Sequence, residues 1–367
     1  MGRTMGQTMD WTRFAEIALS GGTLGHEEAR AVLGAPDEEL LSLVAAAARV
    51  RRAHFSTTVK LNFLLNVKSG LCPEDCHYCA QSAIADSGAA KYPILPVPEM
   101  LAAAERALKV KAARFCMVAS GRGPTDRELD VLTRGIEAVR ASHPRLEICA
   151  CLGLLKDGQA ERLRDAGVYA YNHNLNTSER VYGEICSTHT FQDRVETIER
   201  AQAAGLSSCS GAIFGMGEET EDILAVASRL RELRADSIPI NFLVPIQGTP
   251  LANRAHLGPA KCLKILCLFR FLNPAAEIRI AGGREVQLGW LQPLGLHVAN
   301  SIFIGDYLTT TGQAPQADLA MIRDLGFSVL GHEGTDPLDG VEPWAGAGSG
   351  AVGWVTKRPN AVSGCGR

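Results

Sequence analysis

Cys72, Cys76 and Cys79 stand in SGLCPEDCHYCAQS as a CxxxCxxC group. Three thiols this close can ligate one metal centre, and the number three is informative. Four irons held by three thiolates leave one iron open to a further molecule, whereas a fourth cysteine would close the cluster and favour simple electron transfer. The competing reading is a zinc site that takes His77 or a distant cysteine as its fourth ligand. Zinc loops usually pair two CxxC-like knuckles, and an x3, x2 spacing directly after a strand is unusual for them.

Further thiols recur where strand alternation carries them inward. With a period of two, Arg114, Cys116 and Val118 share a face, as do Cys149 and Cys151, and again Cys209, Gly211 and Ile213. In EIRIAGGRE, Arg279 shares a face with Ala281, which offers a guanidinium to an interior that normally takes Val, Ile or Leu. One such cysteine is most often a small buried hydrophobe. Several thiols and an arginine converging from four runs are hard to explain as packing, and metal-bound thiolates would give a buried arginine its charge partner. Asn172 and Asn174 alternate with Tyr171 and His173 and are continued by Asn176, while Asn241 stands inward beside an apolar run. Capping or turn duty explains Asn176 readily and Asn241 poorly. Cys186, Cys262 and Cys267 fall outside these runs and read as packing, and Cys365 as a bystander.

The elements that must position these residues follow from periodicity. Eight β-rich runs, at 60–67, 113–118, 146–151, 168–175, 208–214, 238–244, 277–281 and 301–304, alternate with amphipathic helical segments. Thr125 and Glu128 form a capping-box pair ahead of Leu129, Leu132, Ile136 and Val139; a second helix runs from Thr190 to Ala204 and stops at Gly205; a third carries Ile223, Val226, Leu230 and Leu233 on one face. The pattern predicts a (β/α)8 TIM-type barrel over residues 58–330, with an open doubly wound sheet as the alternative. Residues 1–57 are expected to form an N-terminal helical extension, and 331–367 a flexible Gly-rich C-terminal tail.

Composition bounds the partners. The 367 residues carry 37 basic and 40 acidic side chains without long runs of either sign, which suggests no nucleic-acid or anionic-membrane surface. The start, MGRTMGQTMDWTRF, lacks a basic flank followed by an apolar run, and no stretch reaches the roughly 18 uninterrupted apolar residues of a membrane span. A soluble, cytoplasmic protein is expected, in which disulfides are rare and several of the eleven cysteines hold metal.

The three-cysteine loop resembles that of the radical S-adenosylmethionine superfamily. The stretches CPEDCHYCAQS, RFCMVASGRG, EICACLG, YNHNLNTS, CSGAIFGMGEE, INFLVPIQGTPL, IRIAGGRE and ANSIFIGDYLTTT narrow the resemblance to the biotin synthase family, in order from about residue 60 to 312. This resemblance implies a 4Fe-4S cluster on Cys72, Cys76 and Cys79 whose open iron takes S-adenosylmethionine, and a 5′-deoxyadenosyl radical as the agent that removes hydrogen. It implies a sulfur-donating 2Fe-2S cluster on Cys116, Cys149, Cys209 and Arg279, and conversion of dethiobiotin to biotin. Cofactor contacts would come from Tyr78, Asn174, Asn176, Arg194 and Ile213, although a surface ion pair explains Arg194 nearly as well. Substrate contacts would come from Lys68, Asn172, Asn174, Asn241 and Thr310; an amide that donates and accepts at once suits a cyclic urea. A flavodoxin or ferredoxin donor and a homodimer are also implied.

This sequence departs from the family at three places. Asn176 stands where an acidic residue is common, Val118 and Ser120 stand where smaller or apolar residues are usual, and Cys151 adds an inward thiol that leaves the auxiliary ligand set open. Rival readings are a radical enzyme of similar barrel without sulfur insertion, such as a hydrogenase-cofactor or methylornithine maturation enzyme, and a non-catalytic iron-sulfur carrier. Lipoyl synthase is disfavoured because no cysteine precedes Cys72.

Overall fold

Ten short strands, all paired in parallel, form where the β-branched and aromatic runs lie in the computed structural model, which describes residues 9–342. They are β1 (Thr58–Lys68), β2 (Arg114–Ala119), β3 (Glu147–Cys151), β4 (Ala170–Asn172), β5 (Ser207–Cys209), β6 (Ala212–Phe214), β7 (Ser237–Phe242), β8 (Glu277–Ile280), β9 (Ser301–Phe303) and β10 (Ser328–Val329). Pairing of β1 with both β2 and β9 closes the sheet into a (β/α)8 TIM-type barrel, and β10 adds to the lower end of β1 outside it. Helices fill the crossovers, as parallel pairing requires.

The run expected as one strand over 208–214 is two, β5 and β6, separated at Ser210 and Gly211. A Cβ on Gly211 would lie 1.8 Å from the Pro239 carbonyl oxygen, so the backbones approach there as only glycine permits. The freed Gly211 N–H donates instead to Asn174 Oδ1 at 3.0 Å. This break thereby ties a site residue to the barrel wall.

Local signals set the helices. Glu128 N–H donates to Thr125 Oγ1 at 3.3 Å and Thr125 N–H to Glu128 Oε2 at 2.9 Å, while Leu129, Leu132, Ile136 and Val139 are fully buried beneath them. Helix Phe191–Ala203 is capped by Thr190, and Gly205 follows in the left-handed region. Among the described residues the N-terminal helical segment comprises the α-helices Trp11–Leu19, His26–Leu33 and Leu40–Phe55. The last buries Leu43, Ala47 and Val50 and carries Arg51 in its final turns, whose guanidinium donates to Thr58 O at 2.7 Å and Ala299 O at 3.3 Å. Residues 331–342, expected to begin the flexible tail, carry Leu338 and Val341 packed against the core; the rest of that tail, with Cys365, lies outside the described residues.

The lower end of the barrel is filled with charge. Glu277 on β8 meets Arg279 at 2.5 Å, Arg114 at 3.4 Å and Lys60 at 3.6 Å, and Glu147 meets Lys60 at 2.5 Å and Arg114 at 2.9 Å. Three cations face two carboxylates, and the surplus positive charge lies beneath the barrel interior. Asn62, Ser237 and Ser301 fill the gaps, with Asn62 Nδ2 donating to Ser301 Oγ at 2.7 Å and Arg279 Nη2 to Ser237 Oγ at 2.9 Å.

Candidate functional site

The CxxxCxxC loop leaves the upper end of β1 and is held by its own acidic residues. Asp75 accepts hydrogen bonds from Ser187 N–H at 3.0 Å and Thr188 Oγ1 at 3.0 Å, and Glu74 accepts from Thr188 Oγ1 at 2.7 Å and His189 Nδ1 at 2.5 Å. The segment 186–189 therefore clasps the loop. Burial raises the Cys72 thiol and pushes that of Cys79 up to about 11, with Cys72 adding to the latter. A hydrogen bond to Cys186 and then burial raise Cys76 above the ordinary thiol range. Protons therefore stay on these thiols until a metal displaces them.

Arg194 is buried beside this loop, not on the surface. It donates to Asn174 O at 2.8 Å, to His189 Nε2 at 2.7 Å and to Tyr182 Oη. None of these partners is anionic, and among the described residues no carboxylate lies within ion-pair distance. A buried guanidinium with only neutral partners fits a site that receives an anionic group, whether a thiolate cluster or the carboxylate of an amino acid. Because Arg194 can only donate, His189 Nε2 accepts and Nδ1 carries the proton given to Glu74; this tautomer is assigned from the network.

Tyr78 folds back onto the wall, where Asn176 Nδ2 donates to its hydroxyl at 2.5 Å. Asn176 adopts φ 69°, so the turn duty expected of it and a side-chain contact coexist in one residue. Ile213 on β6 packs with Met216, Leu243, Leu251 and Tyr78.

Deeper in the barrel, Cys116, Cys149 and Cys209 come together, all 4% exposed or less. Cys116 and Cys149 are register partners on β2 and β3, and Asn172 is opposite Cys209 across β4 and β5. Cys149 is raised well above the thiol range, first by its hydrogen bond to Cys116 and also by burial, and it bonds Cys209 as well. Arg279 Nη1 lies 3.7 Å from Cys209 Sγ, and Asn172 Nδ2 lies 3.2 Å from the same sulfur. The sequence assigned Arg279 a thiolate partner; its partner in the structure is first the Glu277 carboxylate. Burial works against the Arg279 charge, and Glu277 followed by Cys209 more than offsets it. Cys151, pushed up to about 12 by burial, feels Cys209 but makes no hydrogen bond to the other three thiols.

The remaining expected site residues are engaged with the wall. Asn172 Nδ2 donates to Asn174 Oδ1 at 3.1 Å. Asn241 is doubly engaged with main chain, donating to Ala212 O at 3.1 Å and accepting from Gly282 N–H at 3.0 Å, so the structural duty judged poor for it is met. Lys68 pairs with Glu128 at 2.7 Å, and Thr310 contributes its carbonyl to Tyr307 N–H at 2.9 Å.

Several residues escaped sequence reasoning. Glu277 shares the inward face of β8 with Arg279 by alternation, a signal that was present and unused. Glu74 and His189 gave none, since loops lack periodicity. Cys186 was read as packing outside the site, yet its Sγ lies 3.7 Å from Cys76 Sγ.

Comparison with known proteins follows the same outline. Residues 66–230 match the Radical SAM superfamily model and residues 239–328 the Biotin and Thiamin Synthesis associated domain. The chain is similar to the biotin synthase of Kocuria rhizophila, 57% identical over 88% of this chain and 69% of that one. It is similar also to the biotin synthase of Saccharopolyspora erythraea, 51% identical over 93% of this chain and 98% of that one. Among solved structures, methylornithine synthase superposes with a TM-score of 0.75 at 18% identity, covering 86% of this chain and 97% of that one, a likeness of fold alone.

Proposed function

The chain belongs to the biotin synthase family of the radical S-adenosylmethionine superfamily, and from that premise we propose that it inserts sulfur into dethiobiotin between two cysteine-built metal sites in one barrel. When bound, a 4Fe-4S cluster with S-adenosylmethionine supplies a radical able to take hydrogen from a saturated carbon, and a 2Fe-2S cluster supplies the sulfur. Cys72, Cys76 and Cys79 hold the first group. Cys116, Cys149, Cys209 and Arg279 hold the second.

The chain's own residues bind, orient and exclude. Arg194 offers its unmatched charge to the carboxylate of the cofactor's methionine part, and Tyr78, Asn176 and Ile213 wall the nucleoside end. Asn172, Asn174 and Asn241 present amides at mid-barrel, where a cyclic urea can both donate and accept. Lys68 and Thr310 stand at the tail end of the substrate. Glu277 fixes Arg279 beside Cys209. Exclusion matters because a loose radical reacts with whatever lies nearest.

The observation that carries this reading is the meeting of Cys116, Cys149 and Cys209 with Arg279 above a floor bearing one surplus positive charge. An anionic cluster of thiolates satisfies that charge; a barrel enzyme without sulfur insertion, or a simple iron-sulfur carrier, has no use for it. A flavodoxin or ferredoxin donor, a homodimer and a cytoplasmic location belong to the same proposal; among the described residues no helix is long and apolar enough to cross a membrane. The test is anaerobic reconstitution with iron and sulfide counting, then incubation with dethiobiotin, S-adenosylmethionine and a reductant. Biotin is expected from the native chain, and Cys209→Ser is expected to lose inner iron and product together. Two intact clusters without biotin would overturn the substrate assignment.

A further inference from the structure

Cys186 and His189 lie on the segment that clasps the cysteine loop, and both are buried. With Cys76 they offer two sulfurs and one imidazole nitrogen, all within 4.8 Å of one another. We infer that Cys76, Cys186 and His189 form a second metal site, suited to a thiophilic divalent ion of the zinc class and mutually exclusive with an iron-sulfur cluster at Cys76. The exclusivity rests on the reading of Cys76 as a cluster ligand; the site itself does not.

Geometry supports a tetrahedral centre. Zinc–sulfur bonds of about 2.3 Å at tetrahedral angles put two sulfurs about 3.8 Å apart, and zinc–nitrogen bonds of about 2.0 Å put sulfur and nitrogen about 3.5 Å apart. The Cys76–Cys186 separation is 3.7 Å, and Cys186 Sγ lies 3.2 Å from His189 Nδ1 and 3.8 Å from Nε2, which bracket the tetrahedral value. Nδ1 faces both Cys186, at 3.2 Å, and Glu74, at 2.5 Å, so presenting the Nε2 lone pair to an ion requires the ring to shift from its present position while Glu74 keeps Nδ1–H. A carboxylate behind a ligating histidine is the usual support for such a nitrogen. At present Arg194 Nη2 donates to that lone pair from 2.7 Å, so the ion and this arginine contact replace each other. Both sulfurs bind as thiolates, and their two negative charges balance the dication. A fourth position remains for water.

The consequence concerns loading. An apo chain holding zinc in this triad has one of its three loop thiolates occupied, and iron-sulfur assembly must displace the ion. The test uses the full-length apo chain, anaerobic and reduced, titrated with zinc against a chromophoric chelator and with cobalt as a spectroscopic stand-in. Cys186→Ser is expected to weaken the tightest zinc site at least about tenfold, and His189→Gln comparably, while Cys72→Ser leaves it unchanged. Iron incorporation without zinc shows that Cys186→Ser is folded; zinc preloading is then expected to block that incorporation in the native chain and much less in Cys186→Ser. Equal zinc affinity in the native chain and Cys186→Ser, or an equal loss in Cys72→Ser, would place the ion in the CxxxCxxC loop and overturn the triad. If the triad binds zinc yet preloading leaves iron incorporation unaffected, the site stands and the exclusivity falls.

Discussion

Glu277 decides the electrostatics of the lower site, because a single carboxylate faces Arg279, Arg114 and Lys60. Burial alone would favour its neutral form; the three cations, Arg279 foremost, hold it below the usual carboxylate range. Its pKa is lower folded than unfolded, so its stabilisation is fully present above about pH 4.3, the unfolded value, and is lost as pH falls toward the folded value. Glu277→Gln leaves buried cations unmatched and is expected to destabilise the chain by about 3–5 kcal/mol in denaturant titrations at neutral pH. The same variant should show a flatter loss of stability on the acid side than the native chain; an unchanged acid limb would mean that the floor does not depend on this charge. Inner iron should also fall, because Arg279 loses the group that aims it at Cys209.

Among elements, the divided strand is the most constrained. Alternation placed Cys209 and Ile213 on the inner wall correctly but could not reveal the gap between β5 and β6, which exists because another backbone approaches Gly211. Gly211→Ala places its new carbon against the Pro239 carbonyl, and a loss of at least about 3 kcal/mol is expected, measured as a lowered denaturation midpoint. Gly183→Ala, in a helix with nothing within 4 Å, is the control and should be neutral or stabilising by up to about 1 kcal/mol. What was legible in the sequence was what repeats: the barrel strands, the capped helices, and the inward faces carrying Cys116, Cys149 and Arg279. What was not legible lies in contacts without a period. Asn241 bonds main chain from two elements, and Cys186 reaches Cys76 across 110 positions, so neither could be read from its neighbours.

For the molecule as a whole, the barrel interior brings buried thiols together above one surplus cation, and anything that completes the site stabilises the folded chain alone. At about one hundred times its dissociation constant, S-adenosylmethionine should add about 2.7 kcal/mol of stability to the cluster-loaded protein. A melting temperature that rises with cofactor concentration checks this; Arg194→Ala is expected to reduce the rise if that guanidinium meets the cofactor carboxylate.

With Arg114, Ser237, Arg279 and Ser301 all buried, the charged floor closes the lower end of the barrel among the described residues, and entry is expected from the loop end. With the inner thiols below and the cysteine loop above, a small molecule seated between them is locked in once the upper berth is taken. Traffic then follows a stack, first in and last out. Binding kinetics should show it: the native chain, preloaded with S-adenosylmethionine, should admit dethiobiotin far more slowly than the reverse sequence of mixing, and equal rates in both orders would mean a second passage through the wall.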